Sequence, residues 1–435
     1  MSTLEKPIIE VESLAAMTPD RRAKIMARST AGSGAVAQTV AEILARLRQA
    51  PEAELRREYG RPGLEIKDFL VTPAEIEAAY RALPREVLEA LTTAAGNIRR
   101  FHQAQLERSM WFEEFAPGLI AGRLTRPLER VGVYIPGGRA AYPSSALMNI
   151  IPARVAGVSE IIAATPPGPD FEARPEILAA AHLAGADRVY KMGGAWAVGA
   201  MAYGLAGLPR VDKIVGPGSA WVTAAKLAVF GEVDIDLPAG PSEGFIIADD
   251  SAPAEWLAWD FLSQLEHDPL AAAVLATTSE KLAAETARRV AEVFPGLERR
   301  EIAAESLRNG AAIVTAESLE EIFDFCNEYA PEHLQLVLRD PFTHLARVRH
   351  AGSVFLGPYA PIAGGDYAVG TNHVLPTGGA ARMFSGLSAD SFLKKITFQH
   401  LTPEALEALI PTVTTLAEAE GLPAHARAMA IRRRR

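Results

Sequence analysis

The spacing of apolar positions changes character along the 435-residue chain. From about Arg21 to Gln105 apolar residues recur every third or fourth position, as in VAQTVAEILARLRQA and PREVLEALTTAAGNIRRFHQAQ, which predicts helices. From about Arg130 short β-rich runs alternate with Ala-rich helical ones: RVGVYIP, SALMNIIPARVAG, EIIAATPPG, PEILAAAHLAG, DRVYKMGG, AWAVGAMAYGLAG, DKIVGPG and SAWVTAAKLAVF. Strand, glycine turn and helix in repetition indicate βαβ units and a mostly parallel sheet. A second alternating series runs from GFIIADD through AAAVLATT and AAIVTA to SVFLG. From about Ser388 the pattern predicts helix again, ending in PTVTTLAEAEGLPAHARAMAIR. The fold class read from these patterns is α/β, two lobes with helical extensions at both ends. The proline, glycine and serine content of PAGPSE, Pro238 to Glu243, suits a linker between the lobes.

Composition narrows the classes of function. With 49% hydrophobic and 22% charged residues, the chain is long enough for more than one core. A net charge of -9 argues against nucleic acid as a partner, and the basic run Arg432 to Arg435 reads as a solvated tail. No apolar stretch approaches the roughly 20 residues that span a bilayer, so no membrane role is expected. The single cysteine, Cys326, forbids an internal disulfide and fits a cytoplasmic address. Any metal site must therefore rest on nitrogen and oxygen ligands.

Four segments carry groups capable of chemistry. In FLSQLEHDP, Gln264 and His267 lie about one helical turn apart, on a face where both could reach one metal ion. The same segment also reads as an ordinary polar helix end. In EYAPEHLQL, Glu332 and His333 put a carboxylate beside an imidazole, a combination suited to repeated proton transfer, or to a cap or surface turn. The stretch GGDYAVGTNHVLPT is too glycine-rich for a long helix and sets Asp366 and His373 in a constrained loop. Near the end, EGLPAHARA carries Glu420 and His425. His102, His182, His344, His350 and His400 read as surface or packing residues. No G-x-G-x-x-G follows a strand, and the turns YIPGGR, KMGGAW and VGPGSA suit a phosphate or merely a tight bend.

Taken in order, RVGVYIPGG, KIVGPG, DLPAGPSE, FLSQLEH, YAPEHL, AGSVFLG, GGDYAVGTNHVLPT and EGLPAH resemble the histidinol dehydrogenase family, from about residue 20 to about residue 430. The resemblance implies two Rossmann-like lobes and a homodimer with shared active sites. It implies NAD as cofactor and Zn2+ held by Gln264, His267, Asp366 and His425, the last from a partner subunit. His333 would be the general base and Glu332 the activator of water, with Ser242, His373 and Glu420 at substrate-contacting positions together with His333 and the four zinc ligands. Tyr134, Trp196 and Ser219 fall at cofactor positions, where the family usually has glutamine in place of Trp196 and asparagine in place of Ser219. The implied reaction oxidises L-histidinol to L-histidine through the aldehyde. The two departures keep open a relative acting on another small alcohol or diol with NAD(P). The expected division is a helical arm over 1–30 and a discontinuous α/β domain over 31–133 and 243–387 bearing the catalytic and most metal residues. A Rossmann-like cofactor domain spans 134–242, and a dimer-swapped helical tail 388–435.

Overall fold

The computed structural model describes residues 8–28, 34–61, 63–137, 141–237 and 240–433. Gly138 to Ala140 of the YIPGGR turn, Pro238 and Ala239 of the interlobe segment, and the last two arginines of the tail lie outside the described residues.

Two parallel sheets organise the chain. The first has five strands, with Arg130–Tyr134 central, Glu160–Thr165 and Arg188–Lys191 on one side, and Lys213–Val215 and Asp234–Ile235 on the other. The second repeats that arrangement from Glu243–Ala248, with Ala272–Thr277 and Ala311–Thr315 on one side and His333–Val337 and Ser353–Leu356 on the other. Every residue of Glu243–Ala248, Ala272–Thr277 and His333–Val337 is buried. That is why GFIIA and AAVLA read as unbroken apolar runs, and why even His333 and Gln335 of the third strand are buried: a parallel sheet has helices over both faces and no wet side. Apolar clusters flank both faces of each sheet, Ile98, Ile150 and Val133 among those of the first, Phe261, Leu275 and Phe245 among those of the second.

Three elements differ from the expectations. The N-terminal arm contains a strand, Val11–Ser13, which extends the second sheet by pairing in parallel with Ile313–Thr315. The C-terminal segment begins as a strand, Leu393–Leu401, antiparallel to Leu119–Pro127, which also pairs with Met110–Ala116. Its partners lie far back along the chain, so helix periodicity nearby gave no warning of them. Lastly, helices Gly34–Gln49 and Arg85–Ala104 pack on helices of the first sheet, although the expected division grouped them with the second. Their apolar stripes, with Val40, Leu44, Leu47 and Ile98 fully or almost fully buried, belong to the clusters of that sheet.

Candidate active site

In the first sheet the strand order reverses between the central strand and Lys213–Val215, and the carboxyl ends of strands at such a switch point are where open α/β sheets offer a crevice. Tyr134 ends the central strand, and its buried hydroxyl accepts a hydrogen bond from the Gly194 N–H at 3.2 Å. Burial pushes the Tyr134 phenol above its ordinary pKa. The Tyr59 hydroxyl accepts likewise from the Gly193 N–H at 2.8 Å. The neighbouring turn is held by a buried ion pair: Asp236 accepts from the Gly216 N–H at 2.7 Å, and Lys226 donates to the Gly216 carbonyl at 3.0 Å while pairing with Asp236. Gly216 has φ +118°, and a Cβ there would meet the Tyr134 carbonyl oxygen at 2.0 Å, so glycine is required. Ser219 is exposed at the start of helix Ala220–Val229. The Trp196 indole is turned toward helix Pro51–Tyr59, its Nε1 donating to Glu54 at 3.2 Å.

The second sheet gathers its chemistry at the opposite, amino ends of the equivalent strands. His333 begins its strand in register with Gly244 on one side and Ser353 on the other. Its Nδ1 lies 3.1 Å from the Glu243 carbonyl oxygen. A carbonyl can only accept, so Nδ1 carries a hydrogen, and Nε2 is the nitrogen that gains or gives up a proton. That Nε2 is buried without a hydrogen-bond partner, 3.4 Å from Asp366 Oδ1. Burial opposes the charged ring, but Glu332 and Asp366 outweigh it and hold the imidazole pKa well above its ordinary value. Glu332 is buried beside it, Oε2 3.5 Å from His333 Nδ1 and accepting from the Glu243 N–H at 2.8 Å.

Gln264 reaches this place because residue 244 is glycine. A Cβ on Gly244 would lie 2.6 Å from Gln264 Cγ, so the bare backbone leaves the amide room over the strand that borders His333. Gln264 is 1% exposed, and its Oε1 has no partner. His267, on the turn after helix Ala254–Leu265, is exposed and close enough for its charge to act on Asp366. Burial would raise the Asp366 pKa, yet His333, His373 and His267 together hold it below the usual carboxylate range. Asp366 lies on the short helix Ile362–Tyr367, and its carbonyl accepts from His373 Nδ1 at 2.8 Å. Burial keeps the His373 pKa below its ordinary value despite Asp366.

The loop bearing Asp366 and His373 is anchored to the other lobe. Asn372 donates to the Met148 carbonyl at 2.7 Å, and its amide lies 3.3 Å from Nε2 of His102, which is fully buried as a packing residue. Asn97 donates to the Ala368 carbonyl at 2.8 Å.

The structure thus brings Gln264, His267, Glu332, His333, Asp366 and His373 to one place, with Ser242 half-buried just before the strand that supports them. Glu420 and His425 lie exposed on a pair of C-terminal helices, Pro403–Ala419 and Pro423–Ala430, packed on each other. Among the described residues no group of three or more His, Cys, Asp or Glu side chains stands ready to hold a metal ion within the one chain.

Two buried residues escaped the sequence reading. The Glu243 carboxylate pairs with Arg28 and accepts from the Gly378 N–H. Burial, opposed by Arg28 and reinforced by Glu332, pushes its pKa up to about 7. The available signal was an acidic residue heading the wholly apolar run GFIIA, which requires a cationic partner somewhere in the chain.

Comparison with known proteins places this geometry in a family. Residues 26–433 match the family model described as histidinol dehydrogenase. A histidinol dehydrogenase of Methanothermobacter thermautotrophicus is 51% identical over 388 residues, 89% of this chain and 91% of its own. One from Methanocaldococcus jannaschii is 46% identical, covering 98% of both chains. Among solved structures, histidinol dehydrogenase from Elizabethkingia anophelis superposes with a TM-score of 0.93 at 36% identity, over 98% of each chain.

Proposed function

The chain belongs to the histidinol dehydrogenase family, and we propose that it oxidises L-histidinol to L-histidine in two NAD-linked steps by way of the aldehyde. It is an oxidoreductase acting on a small molecule, and the close, full-length relatives favour histidinol over another alcohol or diol despite Trp196 and Ser219. The observation that carries the reading is a buried imidazole, His333, whose Nδ1–H is committed to a main-chain carbonyl while Nε2 faces Asp366 and Glu332 stands alongside.

His333 Nε2 takes the proton of the alcohol as the first hydride departs. For the second oxidation water adds to the aldehyde, Glu332, held by the Glu243 N–H, taking the water's proton and protonated His333 returning one to the aldehyde oxygen. The hydrate then loses the second hydride as His333 takes a hydroxyl proton. NAD, when bound, would supply the hydride acceptor for both oxidations. Tyr134 and Ser219 line the cofactor side, whereas Trp196 is engaged with Glu54.

The residues present fit zinc. Gln264 Oε1 is a buried oxygen with no partner, Asp366 is held ionised, and His267 adds an imidazole within reach of its charge. Gln264, His267, Asp366 and His425 would hold the ion, which when bound supplies Lewis acidity to fix and polarise the substrate. We assign His425 and Glu420 to the site of a second copy, since both are exposed on the C-terminal helices. Strand Met110–Ala116 exposes Met110 and Phe112 on one face and Trp111 on the other, with Phe115 exposed near its end, apolar side chains that such a homodimer would cover. No helix among the described residues is long and apolar enough to cross a membrane, and a cytoplasmic address suits this chemistry.

The test is reduced-cofactor formation from L-histidinol by zinc-loaded protein. Two NADH per histidinol are expected; a rate far below that with another small alcohol would overturn the substrate. Mixing inactive His333→Ala with inactive His425→Ala tests the shared site. Reassorted dimers should regain roughly a quarter of wild-type activity, because half of the molecules then hold one complete site of two.

A further inference from the structure

We propose that Arg28 and Glu243 form a positioning pair that sets Glu332 and His333 in register for proton transfer, an inference that rests on the roles given to those two residues above. Four contacts meet at Glu243. Its N–H donates to Glu332 Oε2 at 2.8 Å, and its carbonyl accepts from His333 Nδ1 at 3.1 Å. Its carboxylate binds the Arg28 guanidinium and the Gly378 N–H, on the loop that follows His373. The main chain of one residue thus orients both members of the acid–base couple, while its side chain fixes that main chain against two distant segments.

Arg28 is built for this purpose at a cost to its own backbone. It ends helix Pro19–Ala27 at φ +38°, a left-handed conformation that side chains other than glycine rarely adopt. The strained turn sends the guanidinium into the interior, where its side chain is 7% exposed against 4% for Glu243. There it lies 3.6 Å from the centre of the Tyr329 ring, three residues before Glu332. A surface ion pair would need neither the strain nor the burial. The carboxylate also stands near Glu332, so without Arg28 two acidic groups would face each other unbalanced. The pair therefore links three pieces of the site: Arg28 joins the strand carrying Glu243 to the end of helix Leu319–Tyr329 that leads to Glu332, and Glu243 holds the loop beyond His373.

The pair touches neither substrate nor cofactor, so its loss should lower kcat and leave the KM for histidinol within a few-fold of wild type. Displacing an acid–base group by about 1 Å costs on the order of a hundredfold in rate. In the intact zinc-loaded enzyme, Arg28→Met and Glu243→Gln are each expected to cut kcat about a hundredfold. The double variant should be no worse than either, because the two act as one unit. Losses that multiply in the double variant, or a lowered melting temperature with kcat unchanged, would overturn the proposal and leave a merely structural pair. Should Glu243→Gln fail to fold, Arg28→Lys keeps the charge but lacks the planar fork. A fall in kcat with unchanged melting supports the proposal, and wild-type kcat overturns it. Nitrogen NMR of the His333 ring gives a reading independent of turnover. At a pH high enough to leave the ring neutral, wild type should hold the proton on Nδ1, and Arg28→Met should show a mixture of tautomers; an unmoved tautomer counts against positioning. If His333→Ala keeps full activity, the failure lies in the reading of the base, whereas full activity confined to the Arg28 and Glu243 variants condemns the pair alone.

Discussion

In the five-stranded sheet the crevice opens at the carboxyl ends of Arg130–Tyr134 and Lys213–Val215, whereas in the larger sheet Glu243 and His333 stand at the amino ends of the two strands flanking the same point in an equivalent order. Each site rests on a buried cation–carboxylate pair, but the pairs are built differently. Lys226 and Asp236 lie ten residues apart and clamp both main-chain groups of Gly216, a local brace. Arg28 reaches Glu243 across 215 residues and carries the N-terminal arm into the interior of the second lobe. In the first lobe the turn amides of Gly193, Gly194 and Gly216 are all satisfied by side chains. In the second, Gln264 Oε1 and His333 Nε2 are buried and left without partners. Buried polar atoms are seldom left so; His333 Nε2 faces Asp366 at 3.4 Å, and Gln264 lies over Gly244 on the adjoining strand. Repeating a topology therefore supplied two scaffolds: in one the turn amides are braced by side chains, and in the other an imidazole and an amide oxygen stand at the amino ends of the strands.

Removing one partner of the local brace is the largest test of that contrast. Lys226→Met leaves Asp236 charged, buried and unpaired, a loss of about 3–5 kcal/mol. Urea unfolding should show it, with kcat of the folded fraction within a few-fold of wild type and a raised KM for NAD. If kcat instead fell as steeply as in the Arg28 variants, the two pairs would not differ in kind.

Gly244→Ala probes the other lobe. Its new Cβ would fall 2.6 Å from Gln264 Cγ, and overpacking of this kind costs about 1–3 kcal/mol. Because the displaced side chain is a proposed ligand, the variant should lose zinc at a chelator concentration that wild type withstands. Full zinc retention would show that Gln264 is not needed to hold the ion.

What the sequence made legible follows the range of the interactions. Both strand–helix series could be read because burial on two faces writes unbroken apolar runs such as GFIIA and AAIVT. Strand Leu393–Leu401 could not, since LKKITFQHL earns its pairing from Leu119–Pro127, over 260 residues earlier. The motifs PEHL and GGDYAVGTNH announced Glu332, His333, Asp366 and His373, which lie close together. In DLPAGPSE, Ser242 drew notice and Glu243 did not, because the meaning of Glu243 depends on Arg28, placed with an N-terminal arm. His102, read as a surface or packing residue, is fully buried, and nothing local to it indicated that it sits against Asn372 of the site loop.

That histidine provides a milder test, by pH. The His102 ring is fully buried, and burial holds its pKa below the ordinary value even though Gln105 favours the charged form. The unfolded chain therefore takes up a proton near pH 6.5 that the folded protein resists. Stability from this residue is complete above that pH and falls as pH drops from about 6.5 toward the lowered folded pKa, by at most about 1.4 kcal/mol per pH unit. Urea unfolding between neutral and mildly acidic pH should show the slope, and His102→Gln should flatten it. An unchanged slope would mean that the ring does not titrate with folding.

The smallest effect concerns Trp196, where the family usually carries an amide. In the structure the indole Nε1 donates to Glu54, which Arg46 and Arg57 also hold. Burial raises the Glu54 pKa less than these partners lower it, so the carboxylate stays ionised and the indole hydrogen bond is one of three supports. Trp196→Phe keeps most of the ring and removes that one donor, a net loss of about 0.5–1.5 kcal/mol. Because the indole is turned toward helix Pro51–Tyr59, the KM for NAD should stay within twofold or so of wild type. A many-fold rise in that KM without loss of stability would place the ring against the cofactor. Stability loss without any change in KM would make Trp196 a brace of the first lobe, alongside Lys226 and Asp236.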